Sequence, residues 1–123
     1  MSSILLDTHV LLWILNESPR LKEIEGLEDF SWWTISPISL LEMKFLNEVG
    51  RLSLEWDKLL KQLKKDDRFR IDDVTLESLC ESAFALSWTR DPFDRFLVSH
   101  SIVTGLPLAT RDALILKNFS GVF

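Results

Sequence analysis

Four carboxylates are spaced along this chain in a pattern that suggests metal chemistry: Asp7, Glu42, Asp94 and Asp112. Asp7 ends the apolar run Ile4-Leu5-Leu6, and Glu42 lies one turn into the helix expected after Trp33-Thr34-Ile35-Ser36. Asp94 opens the helix of Asp91-Pro92-Phe93-Asp94-Arg95-Phe96, and Asp112 follows Leu108-Ala109-Thr110-Arg111. A parallel sheet points the carboxyl ends of its strands toward one edge, and ligands bind in the crevice there. Carboxylates gathered at that edge disfavour one another's ionisation unless a cation joins them. A hard, oxygen-preferring ion such as Mg²⁺ or Mn²⁺ suits an all-oxygen set. Such an ion lowers the pKa of a water, orients it and neutralises charge on a phosphate, so the constellation points to phosphodiester chemistry.

Each acid also has a plainer role open to it. Asp7 is placed to be a helix N-cap, and Asp112 to cap the last helix. Glu42 would close a capping box, Ser39-Leu40-Leu41-Glu42. Asp91 reads as a cap ahead of Pro92, which leaves Asp94 at the third helical position, favourable to the dipole. What favours a shared site is the joint placement of four acids, each just past a strand or at the start of the following helix. Thr8 and Thr110 are candidates to hydrogen-bond the carboxylates or a phosphate oxygen, with a plain helix-cap role as the alternative. Arg95 is a candidate to pair with an acid of the pocket when metal is absent. His9 reads as rim or packing, because a water activated by metal needs no histidine. His100 reads as a partly buried helix residue. No spacing argues for a Ser–His–Asp or Cys–His arrangement, and the 4 glycines form no phosphate-binding loop.

The elements that must position these residues alternate between strand and helix patterns, the signature of βαβ units and a parallel sheet. Strands are expected at 4–6, 33–36, 69–74 and 106–109, with the remains of a last one at 121–123. Helices are expected at 9–16, 20–30, 37–49, 75–86, 92–104 and 112–117, and 54–67 is amphipathic. Pro37 at a first helical position, Gly50 past that helix's end and Gly105 after Thr104 punctuate the pattern.

With 123 residues, the length fits one compact domain, 1–123. At 46% hydrophobic and 27% charged, the composition is that of a globular chain. The single cysteine, Cys80, excludes an internal disulfide framework and reads as a buried, inert thiol in a helix. That fits a reducing cytoplasm. No secretory signal is visible, and Val10 to Leu15 falls far short of the roughly 20 residues that span a bilayer. A net charge of −5 argues against a protein that coats nucleic acid. It leaves open a nuclease with a metal-filled pocket and local substrate contacts.

Four segments together carry a family resemblance: Ile4-Leu5-Leu6-Asp7-Thr8-His9, Ile35-Ser36-Pro37-Ile38-Ser39-Leu40-Leu41-Glu42, Arg90-Asp91-Pro92-Phe93-Asp94-Arg95-Phe96-Leu97 and Leu106-Pro107-Leu108-Ala109-Thr110-Arg111-Asp112. In order and spacing the chain resembles the PIN-domain family, and most closely the toxin nucleases of VapBC toxin–antitoxin pairs. The Asp-Pro-Phe-Asp-Arg run is the most specific element. Leu41 stands where relatives often carry Trp, and His100 where they often carry Gln. The resemblance implies a three-layer α/β/α sandwich around a small, mainly parallel sheet. It implies a Mg²⁺- or Mn²⁺-dependent endoribonuclease that leaves a 5′-phosphate and a 3′-hydroxyl. The family's acidic residues carry over onto Asp7, Glu42, Asp94 and Asp112, which hold the metal. RNA is the implied substrate, and a cognate antitoxin and a second copy of the chain are the implied partners, with no membrane involved. The rivals are an RNA-processing PIN nuclease without an antitoxin and a non-catalytic RNA-binding module on the same fold.

Two further groups of residues carry expectations. Lys58, Lys61, Lys65 and Arg68 recur at helical spacing and form a candidate RNA-backbone track, or else a solvated face laced with Asp57, Asp66 and Asp67. Trp13, Trp32, Trp33, Trp56 and Trp88 fill the core or in part mark an interface. The stretches 11–27 and 40–54 are the expected antitoxin groove.

Overall fold

The computed structural model describes residues 2–53 and 55–123. Leu54, the first residue of the amphipathic stretch and the last of the expected antitoxin groove, lies outside the described residues. The order is β1 (Ser3–Leu6), α1 (Thr8–Leu15), two 3₁₀ turns (Pro19–Glu23 and Leu27–Asp29), β2 (Trp32–Ile35), α2 (Pro37–Glu48), α3 (Trp56–Lys65) and β3 (Phe69–Ile71). It continues with α4 (Leu76–Ala83), α5 (Pro92–Thr104), β4 (Leu108–Ala109) and α6 (Ala113–Asn118). The four strands form one parallel sheet in the order β3-β2-β1-β4. A parallel bridge from Leu108 to Val122 is what remains of the expected last strand.

The alternation of side chains along a strand sorts this sheet into two buried faces. Ile4, Leu6, Trp33, Ile35 and Ala109 share one core with Val10 and Leu11 of α1, Met43 of α2, and Leu59 and Leu63 of α3. Leu5 and Leu108 point the other way, into a core with Leu86, Val98 of α5 and Ile115 of α6. Helices thus cover both faces, and the architecture is the three-layer α/β/α sandwich. Each fully buried Leu or Ile contributes about 1.5–3 kcal/mol, so these two cores hold the layers together.

Several expectations are corrected. The stretch 20–30 is not one helix: Pro19 starts a short 3₁₀ turn, and Gly26 at φ +90° breaks the chain before the next. That backbone conformation suits glycine and interrupts helical hydrogen bonding. The third strand stops at Ile71 rather than Val74, and α4 ends at Ala83, although Leu86 beyond it is buried. Cys80 is half-buried in α4 rather than sealed in the core. Trp33 is buried, Trp13, Trp32 and Trp88 are half-buried, and Trp56 is exposed. Among the described residues no helix is long and apolar enough to cross a membrane.

The strand order creates one topological switch point. β1 is followed by β2 on one side, while β4 returns on the other side of β1. The loops leaving β1 and β4 therefore diverge and open a crevice at the carboxyl end of the sheet. Asp7 stands at the end of β1, and Thr110 and Asp112 just past β4.

Candidate active site

Asp7 sits where β1 turns into α1 and is 4% exposed. It is the N-cap residue by position, but its carboxylate makes no capping bond. Its Oδ2 instead accepts a hydrogen bond from Thr110 Oγ1 at 2.7 Å, straight across the switch point. Thr110 is held to this task, because its oxygen accepts from the Asp112 N–H at 3.0 Å and its proton is left for Asp7.

Glu42 arrives from α2. The capping box expected around it is absent: Ser36 caps the helix through Ile38 N–H, and Ser39 lies inside it. Glu42 Oε1 instead lies 2.5 Å from Thr8 Oγ1, which is also 3.0 Å from Ser39 Oγ. Thr8 is buried, so one short polar relay joins α1 to α2 at the crevice.

Asp91 is the cap of α5, accepting from Phe93 N–H at 2.8 Å and Asp94 N–H at 3.4 Å. The Asp94 carboxylate is thereby released from capping, and it accepts no hydrogen bond among the described residues. Asp112 does cap α6, taking Leu114 and Ile115 N–H on Oδ1, both at 3.0 Å. Its Oδ2 has no partner among the described residues. Capping and a site role are compatible there, since a carboxylate has two oxygens.

The four acids feel one another. Burial pushes the Asp7 carboxyl above its ordinary range, opposed by His9 when that ring is charged and by Thr110, and Asp112 adds to the rise. Burial lifts Glu42 to about 7 against the Thr8 hydrogen bond, and Asp7, Asp91 and Asp112 lift it further. Burial lifts Asp94 to about 7 as well, helped by Asp91, Asp112, Asp7 and Glu42. Among the described residues no three of these groups converge as a ready-made ion cage. The donor set fits a hard divalent ion, with only oxygens present. One oxygen of Asp7, of Glu42 and of Asp112 is held by protein donors, and among the described residues the second accepts no side-chain hydrogen bond.

Other expected residues fall differently. Arg95 donates from Nε to Thr89 O at 2.8 Å and pairs with no acid among the described residues. The backbone of the Thr89 loop lies in its reach and needs a donor, so the guanidinium is used there. Lys58, Lys61 and Lys65 are exposed on α3, and Lys58 pairs with Glu55 at 3.5 Å. Arg68 is off that helix: it binds Asp66 through two nitrogens and lies 3.8 Å over the Trp33 ring. His100 is fully buried, and its Nε2 lies 2.8 Å from Asp72 Oδ2.

His9 is closer to the chemistry than its sequence position suggests. Its Nε2 accepts from Arg111 N–H at 3.1 Å, so the proton of the neutral ring is on Nδ1, 3.5 Å from Asp7 Oδ2. Arg111 was not singled out in the sequence. It crosses the crevice rim to bind Glu23 O through Nε and Nη2. Only the meeting of the β4–α6 loop with the first 3₁₀ turn reveals it.

A family model described as the PIN domain matches residues 4–119. The chain belongs to the PIN-domain family. A curated relative, Ribonuclease VapC22 of Mycobacterium tuberculosis (strain ATCC 25618 / H37Rv), is 30% identical over 116 residues, spanning 91% of this chain and 88% of the relative. The fold is also that of a toxin–antitoxin complex from Klebsiella pneumoniae, with TM-score 0.70 and 19% identity over 98% of this chain and 95% of that one. VapBC2 from Rickettsia felis, solved on a promoter DNA fragment, is similar with TM-score 0.67 and 19% identity over 98% and 96% of the two chains. In this PIN-domain chain the match spans all four carboxylates and both threonines.

Proposed function

We infer that this PIN-domain protein is a metal-dependent endoribonuclease, the toxin of a toxin–antitoxin pair. One observation carries the reading. Asp7, Glu42 and Asp94 are acids with raised pKa values, coupled to one another and to Asp112, at the switch point of a parallel sheet. Perturbed titratable groups cluster at functional sites, because burial and like charges are arranged there to shift them. The ribonuclease name of the curated relative supports the activity, and the toxin–antitoxin structures of the same fold support a cognate antitoxin.

Asp7, Glu42, Asp94 and Asp112 would hold Mg²⁺ or Mn²⁺. When bound, the ion would supply a water of lowered pKa and screen the scissile phosphate. Thr110 keeps Asp7 Oδ2 occupied, so the other oxygen is the one presented to the crevice. Thr8 does the same for Oε1 of Glu42. Asp91 holds the start of α5 so that Asp94 faces the substrate uncommitted. At neutral pH two of the carboxyls lie near their titration midpoints, so cation entry and proton loss are linked. The reading includes a cytoplasmic, dimeric protein with RNA as substrate.

The test is cleavage of total RNA by antitoxin-free protein with Mg²⁺, Mn²⁺ or EDTA, beside Asp7→Asn. Discrete, metal-requiring fragments that vanish in a folded variant are expected. Undiminished cleavage by Asp7→Asn would remove the site assignment, and no cleavage with either metal would remove the enzyme.

A further inference from the structure

An acidic nuclease must still hold a polyanion beside four carboxylates, and the structure offers one place that joins them with the needed chemistry. His9, next to Asp7, packs against Trp13 with ring centroids 5.0 Å apart and planes tilted by 60°. The Arg20 guanidinium lies 4.5 Å over the Trp13 ring, is anchored by Glu23 Oε2 at 3.0 Å and is largely exposed. The backbone carbonyl of the same Glu23 receives Arg111, whose guanidinium hydrogen bonds go to carbonyls, so its charge meets no carboxylate among the described residues. The row Arg20–Trp13–His9 therefore runs to Asp7, flanked by a second arginine. Trp13 packs partly on the core and is half-buried.

We propose that Arg20, Trp13 and His9 form a stacking subsite for a base of single-stranded RNA beside the scissile phosphate, with Arg111 meeting the backbone. The proposal rests on the nuclease reading and names where its substrate lies. Unpaired bases are held by stacking on aromatic rings and on guanidinium planes, while arginines neutralise phosphate. The other arginine–tryptophan pairs do not serve this purpose. Arg68 lies over Trp33, which is buried in the core, and Arg70 over Trp32 belongs to the β2–β3 side of the sheet, away from the β1–β4 crevice. The lysines of α3 carry no aromatic partner among the described residues.

The test uses a labelled single-stranded oligoribonucleotide, followed by anisotropy in an Asp94→Asn background that prevents cleavage. Stacking is worth about 1–3 kcal/mol per base, or about 5- to 150-fold in affinity. Trp13→Ala is expected to weaken binding within that range, and Trp13→Phe to stay within about threefold of the parent because it keeps a ring. Arg20→Gln, which removes the guanidinium plane, should weaken binding within the same range, and Arg111→Gln should lower the salt slope by about one. Lys58, Lys61 and Lys65 changed together to Ala remove only general charge and should leave the ratio of parent to Trp13→Ala affinity unchanged. An oligonucleotide lacking bases should bind the parent weakly and be indifferent to Trp13→Ala. Parent-like affinity in folded Trp13→Ala, or equal loss in Trp13→Phe, overturns the subsite, as does loss confined to the lysine variant. If Trp13→Ala does not fold, Trp13→Phe and Arg20→Gln still decide it. Cleavage by the wild type beside unchanged binding in the variants removes this proposal alone. A wild type that neither binds nor cleaves RNA removes the nuclease reading with it.

Discussion

Neutralising one carboxyl of the crevice should make the metal-free protein more stable, an unusual sign for a substitution at a buried polar site. Glu42 and Asp94 are lifted to about 7 from ordinary values of 4.5 and 3.8. Their folded-state pKa values lie above the unfolded ones, so the protonated carboxyls stabilise the fold. That contribution is complete below about pH 4 and lost as pH rises through about 7. At ~1.4 kcal/mol per pKa unit, the full shifts correspond to about 3 and 4 kcal/mol at pH 8. Both side chains are only half-buried, and solvent screening removes at least half of that. Glu42→Gln and Asp94→Asn should therefore each add ~1–2 kcal/mol at pH 8 in EDTA, about 3–10 °C in unfolding midpoint for a chain of this size. Gln at position 42 still accepts the Thr8 hydroxyl, so the gain is not offset by a lost hydrogen bond. Thermal unfolding by circular dichroism at pH 5 and pH 8 measures it. The gain should shrink at pH 5, and Mn²⁺ at pH 8 should stabilise the wild type more than either variant. Variants no more stable than wild type at pH 8 in EDTA, or a gain independent of pH, would refute the repulsion argument.

Three more outcomes are expected. Thr110→Val removes the donor to Asp7 and the acceptor for Asp112 N–H, so it should cost about 1–3 kcal/mol in a denaturant titration and about 10- to 100-fold in cleavage. Asp91→Ala should lower stability by about 0.5–2 kcal/mol through the lost cap of α5, and cleavage should fall with it because Asp94 is no longer held in place. Asp72→Ala leaves His100 buried without its partner and should cost about 1–3 kcal/mol, while metal-dependent cleavage per folded molecule stays near wild type. A kinetic defect in that last variant would tie the β3–α5 contact to the site.

The chain's periodicity and punctuation read through to most elements because they are local properties. Helix α5 is predicted residue for residue: Asp91 caps it, Pro92 starts it, and Gly105, at φ +74°, ends it. The stretch 20–30 misleads because its apolar spacing is helical while Pro19 and Gly26 override it. Glu42 looks like half of a capping box from spacing alone. Which serine caps α2 depends on where the backbone turns out of β2, and that turn favours Ser36. Arg95 and Arg68 show the same limit, since a charge in sequence does not name its partner.

What the sequence determined by itself is the parallel α/β order, the cap and ends of α5 and the element on which each of the four acids sits, because each depends on neighbours within a few residues. The tertiary structure decided which oxygens of those acids are already taken, through contacts such as Thr110 to Asp7 between residues distant in the chain. It also decided that His9, Trp13, Arg20 and Arg111 meet at the crevice rim. Strand order alone brings the β4–α6 loop beside β1, and no local pattern encodes which strand lies next to which.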